Sequence, residues 1–374
     1  MSLVSGLDDI GVITLTKQGI DVARALEASL PAQVTVHISE KYDAEAPAHW
    51  ERFPRRIYPL VDAIWGRHEA LVFVMAAGIV VRAVAKHVQS KLHDPGVVVM
   101  DITGKFAVAL CSGHLGGSNE LCRLIEEHVG ATAVITTGTD VNNTLAPDVL
   151  AKELGARVDD WEPLKLVSGA LVDSLPVGVY VEPGIDAGDL AQYARKKVTV
   201  VDHPAELDEH RAAVVVSHRL LPEPTVPTMW LRPPALVVGV GCNRGTSEEE
   251  IGAAIETVLR ENGLAASSVV RVATIEKKSD EVGLIAAAHA RSWPLWWYDN
   301  DQVNNHAPPF PNRSDVVFKY VGVHGVAEPT ALLAAGATEL LVEKQKCGNL
   351  TVSVARITGE PLPPAGRVAV EGSA

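Results

Sequence analysis

The chain has 374 residues, 47% hydrophobic and 21% charged, which exceeds what one ordinary hydrophobic core organises and leads us to expect two or three domains. Its formal net charge of −13 is spread along the chain without a basic stripe or tail, which argues against nucleic acid as a partner. Four cysteines with no CxxC pair suit neither a disulfide framework nor a zinc ribbon, no basic segment leads into an apolar core at the start, and the longest apolar run, 70–81, is too short to span a bilayer. A cytoplasmic globular protein with no membrane partner is expected.

In chain order, 11–16 reads as a strand, 19–30 as a helix stopped by Pro31, and 34–38 as a second strand. Residues 70–75 form a buried strand by length and branching, Gly78 opens a helix to about His87, and 97–100 pairs with 106–110 as a hairpin across Thr103-Gly104. A helix over 118–129 and a strand over 133–136 close a first region, 1–145. The second region, 146–234, is weakly patterned and closes with Pro222, Pro224, Pro227, Pro233 and Pro234, expected to be a semi-rigid linker. The third, 235–374, restarts the alternation. It begins with a strand over 236–240 and a helix opening at 246–250 with capping-box spacing, followed by strands near 269–274, 294–298, 316–321, 339–342 and 350–354 and a helix over 327–335. With aromatics at only 5%, the expected fold is α/β: two α/β domains with largely parallel sheets joined through a smaller middle α/β domain.

The strongest chemical signal is Cys111-Ser112-Gly113-His114-Leu115-Gly116-Gly117-Ser118-Asn119-Glu120, where a strand ends and a glycine-rich turn enters a helix. Glycines let the backbone approach a ligand, and unpaired N–H groups at a helix start favour an anion or a developing oxyanion. His114 is the candidate general base or acid, with Ser112 and Asn119 beside it. A second strand end, 135–143, gathers Thr137, Thr139 and Asp140. A third segment, 86–95, carries Lys86, His87, Lys91 and His93, able to bind carboxylates; a metal site on the two histidines has only generic spacing behind it. The turn 239–245 follows a strand and opens a helix, but its spacing is GxGxxxG and Arg244 occupies the phosphate approach. An anion held by Arg244 suits it better than a nicotinamide cofactor. Asp280 and Glu281 are expected in a first helical turn after Lys277 and Lys278, and Cys242 as a buried small hydrophobe.

Met75-Ala76-Ala77-Gly78-Ile79-Val80-Val81-Arg82, Asp94-Pro95-Gly96-Val97, the His114 segment and Ile135-Thr136-Thr137-Gly138-Thr139-Asp140-Val141-Asn142 follow one another as in the CbiG family of cobalamin biosynthesis, the cobalt-precorrin-5A hydrolases, which the chain resembles. Val238-Gly239-Val240-Gly241-Cys242, 278–281 and Val326-Ala327-Glu328 are similar to the family's carboxy-terminal domain. The resemblance implies opening of the ring-A δ-lactone of cobalt-precorrin-5A by water, with release of acetaldehyde to give cobalt-precorrin-5B. Cobalt then arrives inside the substrate and no cofactor is expected.

On this view His114 activates water with Asp140 as its orienting partner or as the alternative base, and Ser112 and Asn119 complete the catalytic set. The N–H groups of Gly116 and Gly117 receive the oxyanion. Glu120, Thr137 and Thr139 line the substrate, while Lys86, Lys91, Arg244, Lys277 and Lys278 hold its peripheral carboxylates. The partners expected are the tetrapyrrole and, through it, other cobalamin-pathway enzymes, with a homo-oligomer also compatible. Two other readings stand: a non-catalytic corrinoid carrier, and a nucleotide-dependent enzyme using the turn at Gly239.

Overall fold

A computed structural model describes residues 7–54 and 56–369. Two compact units divide between Lys152 and Glu153, where the sequence led us to expect three regions.

The first unit is built on a seven-stranded sheet of β1 (Asp9–Thr14), β2 (Gln33–Ser39), β3 (Glu51–Phe53), β4 (Ala70–Val74), β5 (Gly96–Met100), β6 (Phe106–Cys111) and β7 (Thr132–Val134), in the order β3-β2-β1-β4-β5-β6-β7. The first five strands are mutually parallel, and Val12 pairs with Val36 on one side and Val72 on the other. β6 turns back antiparallel to β5, and β7 runs parallel to β6. Every residue of β4 and β5 is buried, as a strand covered on both faces requires.

Alternation along β4 sends Val72 and Val74 to one side, where they pack with Leu26 of α1 (Lys17–Ser29). Leu71 and Phe73 face the other side, against Val61 of α2 (Ile57–Ile64) and Val80 of α3 (Ala77–Val84). Leu121 and Ile125 of α4 (Ser118–Val129) join the first of these clusters. Two short helices, α5 (Gly138–Val141) and α6 (Pro147–Glu153), follow β7.

The second unit holds two further sheets. One has five strands: β8 (Arg157–Val158), β9 (Val177–Val181), β10 (Val198–Val201), β11 (Ala212–Val216) and β12 (Thr228–Arg232), ordered β10-β9-β11-β12-β8, with α7 (Leu164–Val172) packed on it. The proline-rich stretch expected as a linker therefore contains an interior strand, all five residues of which are buried. The prolines flank Thr228-Met229-Trp230-Leu231-Arg232, so their missing N–H groups cost the ladder nothing, and the Pro227 carbonyl accepts from Ala213.

The other sheet has six strands: β13 (Leu236–Cys242), β14 (Val269–Ile275), β15 (Leu295–Tyr298), β16 (Leu340–Cys347), β17 (Leu350–Arg356) and β18 (Gly366–Val368), ordered β16-β17-β13-β14-β15-β18. It is covered by α8 (Glu248–Glu261) and α9 (Val282–Ala290) on one face. On the other face, α10 (Asn300–His306) and the fully buried α12 (Ala327–Ala335) contribute to the core. The stretch 316–321, expected as a strand from its branched and aromatic residues, is instead α11 (Asp315–Val321). The Ser314 hydroxyl accepts from Val317 at its start, and Gly322, with φ of 90°, stops it. Glu281 precedes α9 as its cap residue, after a 3₁₀ turn over Glu276–Lys278, so Asp280 and Glu281 lie before the helix and not in its first turn.

Two predictions follow from this packing. Phe73 is fully buried, so Phe73→Ala should cost the first unit about 3–5 kcal/mol, read by urea denaturation; a loss below 1 kcal/mol contradicts the packing. His218 is buried with neither ring nitrogen hydrogen-bonded, and burial pulls its pKa from 6.5 to about 4 despite the opposing Glu182 carboxylate. The unfolded chain therefore takes up a proton between about pH 6.5 and 4 that the folded chain refuses. Stability should be full above 6.5 and fall across that window, and His218→Leu should flatten the fall in a series of unfolding midpoints.

Candidate active site

The loop after β6 returns on itself before entering α4. The Gly117 N–H donates to the His114 carbonyl at 3.0 Å, Ser118 N–H to Ser112 at 3.2 Å and Asn119 N–H to Gly113 at 3.0 Å. These are the groups a bare helix start would offer to an anion, and here the loop's own carbonyls consume them. The oxyanion role expected of the Gly117 N–H does not fit this arrangement. Ser112, at φ of 54°, contributes its carbonyl to the turn, and its hydroxyl bonds to no other described residue.

The fold brings His114, Asn119, Thr137, Thr139 and Asp140 together. His114 Nε2 lies 2.7 Å from Asp140 Oδ2 and 3.2 Å from Thr139 Oγ1. Asn119 donates to Asp140 Oδ2 at 3.0 Å and to Thr137 Oγ1 at 2.9 Å. Two participants were not anticipated. Asp148 of α6 meets His114 Nδ1 at 3.0 and 3.1 Å, and Arg123 of α4 pairs with Asp140 Oδ1. Asp148 lies beyond the expected boundary at 145, although Pro147 at the first helical position is a recognised start signal. Arg123 had no motif to mark it.

Ionised carboxylates only accept, so a ring between two of them carries hydrogen on both nitrogens. Burial works against the charge on His114, but the hydrogen bonds and charges of Asp148 and Asp140 prevail and raise its pKa above the ordinary 6.5. Asp148, despite its own burial, is held low by the same imidazolium and by the nearby Lys91. His114 thus has no free lone pair with which to take a proton from water. That arrangement does not suit the general-base role expected of it.

Glu120 is exposed and, among the described residues, reaches only Arg123, at 3.6 Å. Lys86 pairs with Asp62 at 2.6 Å, as does His87 at 2.8 Å, so neither joins the His114 cluster. Gly116 packs against the backbone before β5. In the second unit, Arg244 pairs with Asp280 at 3.2 Å and Glu281 at 3.4 Å, Lys278 with Glu281 at 3.3 Å, and Lys277 donates to the Val321 carbonyl at 2.8 Å. Arg244 and Lys278 are thus paired with carboxylates, while Lys277 meets a neutral carbonyl. A Cβ on Gly239 would stand 1.9 Å from the Ala327 carbonyl oxygen, so this glycine admits α12 against the sheet, a packing role that needs no pyrophosphate. Burial pushes the Cys242 thiol up, in keeping with a packing role. Glu328 is buried and fully engaged, accepting from Asn312 and the Lys344 backbone. Among the described residues no helix is long and apolar enough to cross a membrane.

Comparison with known proteins bears on the whole length. The chain matches the family models described as Cobalamin synthesis G N-terminal over 59–140, Cobalamin biosynthesis central region over 145–233 and Cobalamin synthesis G C-terminus over 236–355. It is 34% identical to the cobalt-precorrin-5A hydrolase of Priestia megaterium, covering 93% of this chain and 95% of that one. It is 33% identical to the enzyme of the same name from Salmonella typhimurium, covering 93% and 97%. A solved structure of a cobalamin biosynthesis protein G homolog from Sulfolobus solfataricus is 23% identical, covers 96% of this chain and all of that one, and has a TM-score of 0.38. On the three family models, which follow in order along the chain, and the two hydrolase matches, the chain belongs to the CbiG family of cobalamin biosynthesis.

Proposed function

We propose that this protein is a cobalt-precorrin-5A hydrolase, opening the ring-A δ-lactone with water and releasing acetaldehyde to leave cobalt-precorrin-5B. The observation that carries the reading is the similarity to hydrolases of that name along 93% of the chain, and the partly buried Asp148–His114–Asp140 array supplies residues suited to the chemistry.

In this mechanism Asp140 takes the proton of the attacking water as the water oxygen bonds to the lactone carbonyl carbon. The charge that develops on the carbonyl oxygen is met by Arg123, half exposed and able to leave Asp140 for the substrate, and by the Asn119 amide. As the ring C–O bond breaks, His114 passes its Nε2 proton to the departing oxygen and remains as the Nδ1–H tautomer, held by Asp148; these roles complete the lactone opening, and acetaldehyde leaves in a separate step that breaks carbon–carbon bonds of the opened macrocycle. Cobalt enters as part of the substrate, so the scheme calls for no resident metal or coenzyme. The reading implies work in the cytoplasm beside the enzymes that make this substrate and consume this product, and it leaves self-association compatible but unnecessary.

Two measurements test these roles. His114→Gln and Asp140→Asn should each lower kcat by about 10²–10⁴-fold, with acetaldehyde release followed by coupled reduction. Full activity in either would remove that residue from the chemistry, and absence of acetaldehyde from the wild type, with the tetrapyrrole still bound, would make the protein a carrier. The pH profile gives a separate check. An acid with a raised pKa loses its proton as pH climbs through that value, so kcat should fall on the alkaline side of 6.5. Asp148→Asn withdraws one supporting charge and should move that limb to lower pH; an unmoved limb argues that another group is the acid.

A further inference from the structure

Beside the His114 loop lies a cavity of about 450 Å³ in the first unit, walled by the segments that lead into β4 and β5 and by Leu115 and Gly116. That is near the lower end of the roughly 300–1,000 Å³ typical of small-molecule pockets. It has room for a side arm of a tetrapyrrole and not for the macrocycle.

The charges around it are unequal in availability. Arg67 gives both terminal nitrogens to Glu51, at 3.0 and 2.6 Å. His68 is spent between Asp9, at 3.0 Å, and the buried His37, at 3.2 Å. The two acids are occupied as well: Asp94 accepts the N–H groups of Gln89 and Ser90, and Glu69 those of Asp8 and Asp9. Lys152 and His93 remain, both exposed and, among the described residues, without a carboxylate partner.

Two features tie this cavity to the reacting groups. Asp148 and Lys152 are four apart on α6, so one face of that helix sets the carboxylate on His114 and the ammonium at the cavity. A Cβ on Gly96 would stand 2.2 Å from the Gly116 carbonyl oxygen, so the strand entry and the His114 loop touch backbone to backbone.

We propose that this cavity is a carboxylate subsite, in which Lys152 and His93 grip a peripheral acetate or propionate arm of the substrate and so set the lactone against Asp140 and His114. The proposal rests on the hydrolase reading for the identity of the substrate, while carboxylate binding itself is independent of turnover. Lys91, two residues before His93, is close enough to Asp148 to help hold its carboxyl low.

The test uses uroporphyrin I, a polycarboxylate tetrapyrrole with no lactone to open, in equilibrium titrations, together with steady-state kinetics on cobalt-precorrin-5A. Lys152→Ala and His93→Ala should each weaken uroporphyrin binding and raise KM about tenfold, with kcat within about twofold of wild type. Lys152→Arg should restore most of the loss. Lys105→Ala, which removes an exposed cation from the β5–β6 turn, should change neither. Unchanged binding and KM in the Lys152→Ala/His93→Ala double variant overturns the subsite while leaving the hydrolase reading intact. If the wild type releases no acetaldehyde but binds uroporphyrin through Lys152 and His93, the hydrolase reading falls and the subsite stands.

Discussion

The clamp of His114 between Asp148 and Asp140 is the contact on which the rest of the site depends. A charged group taken out of water costs several kcal/mol unless its hydrogen bonds and counter-charges are both in place. The three groups arrive on three separate pieces of chain: the loop after β6, the single turn of α5 and the start of α6. Closing the network therefore fixes where each piece ends. With Arg123 included, two positive and two negative groups cancel, so the cluster itself neither repels nor strongly attracts a polyanion. Long-range attraction must come from cations outside it, against an overall charge of −13.

The position of the cluster follows from one reversal in the sheet. In a doubly wound sheet ligands gather beyond the carboxyl ends of the strands, at the point where strand order switches, which here lies between β1 and β4. The β5–β6 hairpin turns the chain round, so β6 and β7 end at the edge where β1, β4 and β5 begin. Segments that elsewhere merely lead into buried strands, such as 66–69 and 92–95, consequently become walls beside the His114 loop.

Local pattern carried much of the architecture. The helices at Ser118–Val129 and Ala327–Ala335, the β5–β6 hairpin and the buried β4 were all readable, because burial on both faces or a clear cap leaves a local trace. The failures were equally physical. Asp315-Val316-Val317-Phe318 has strand-forming composition, but Ser314 and Gly322 bound a helix. Thr228–Arg232 was hidden by prolines that lie outside the strand. At the site, glycines and a histidine in one turn identified the loop, and a second strand end supplied Asp140. What could not be read was the protonation of His114, since it depends on Asp148, 34 residues away and brought in by tertiary packing.

That separation has a consequence for how the chain can be divided. The match to the family's N-terminal segment ends at residue 140, and the central-region match begins at 145 and so takes in Asp148 and Lys152. By contacts, both residues belong to the first unit. The module that similarity outlines is thus shorter than the module that works. A gene fusion or excision joined at the similarity boundary would preserve all seven strands while stripping the histidine of one of its two counter-ions. A joint after residue 152 would carry the charge balance along with the fold.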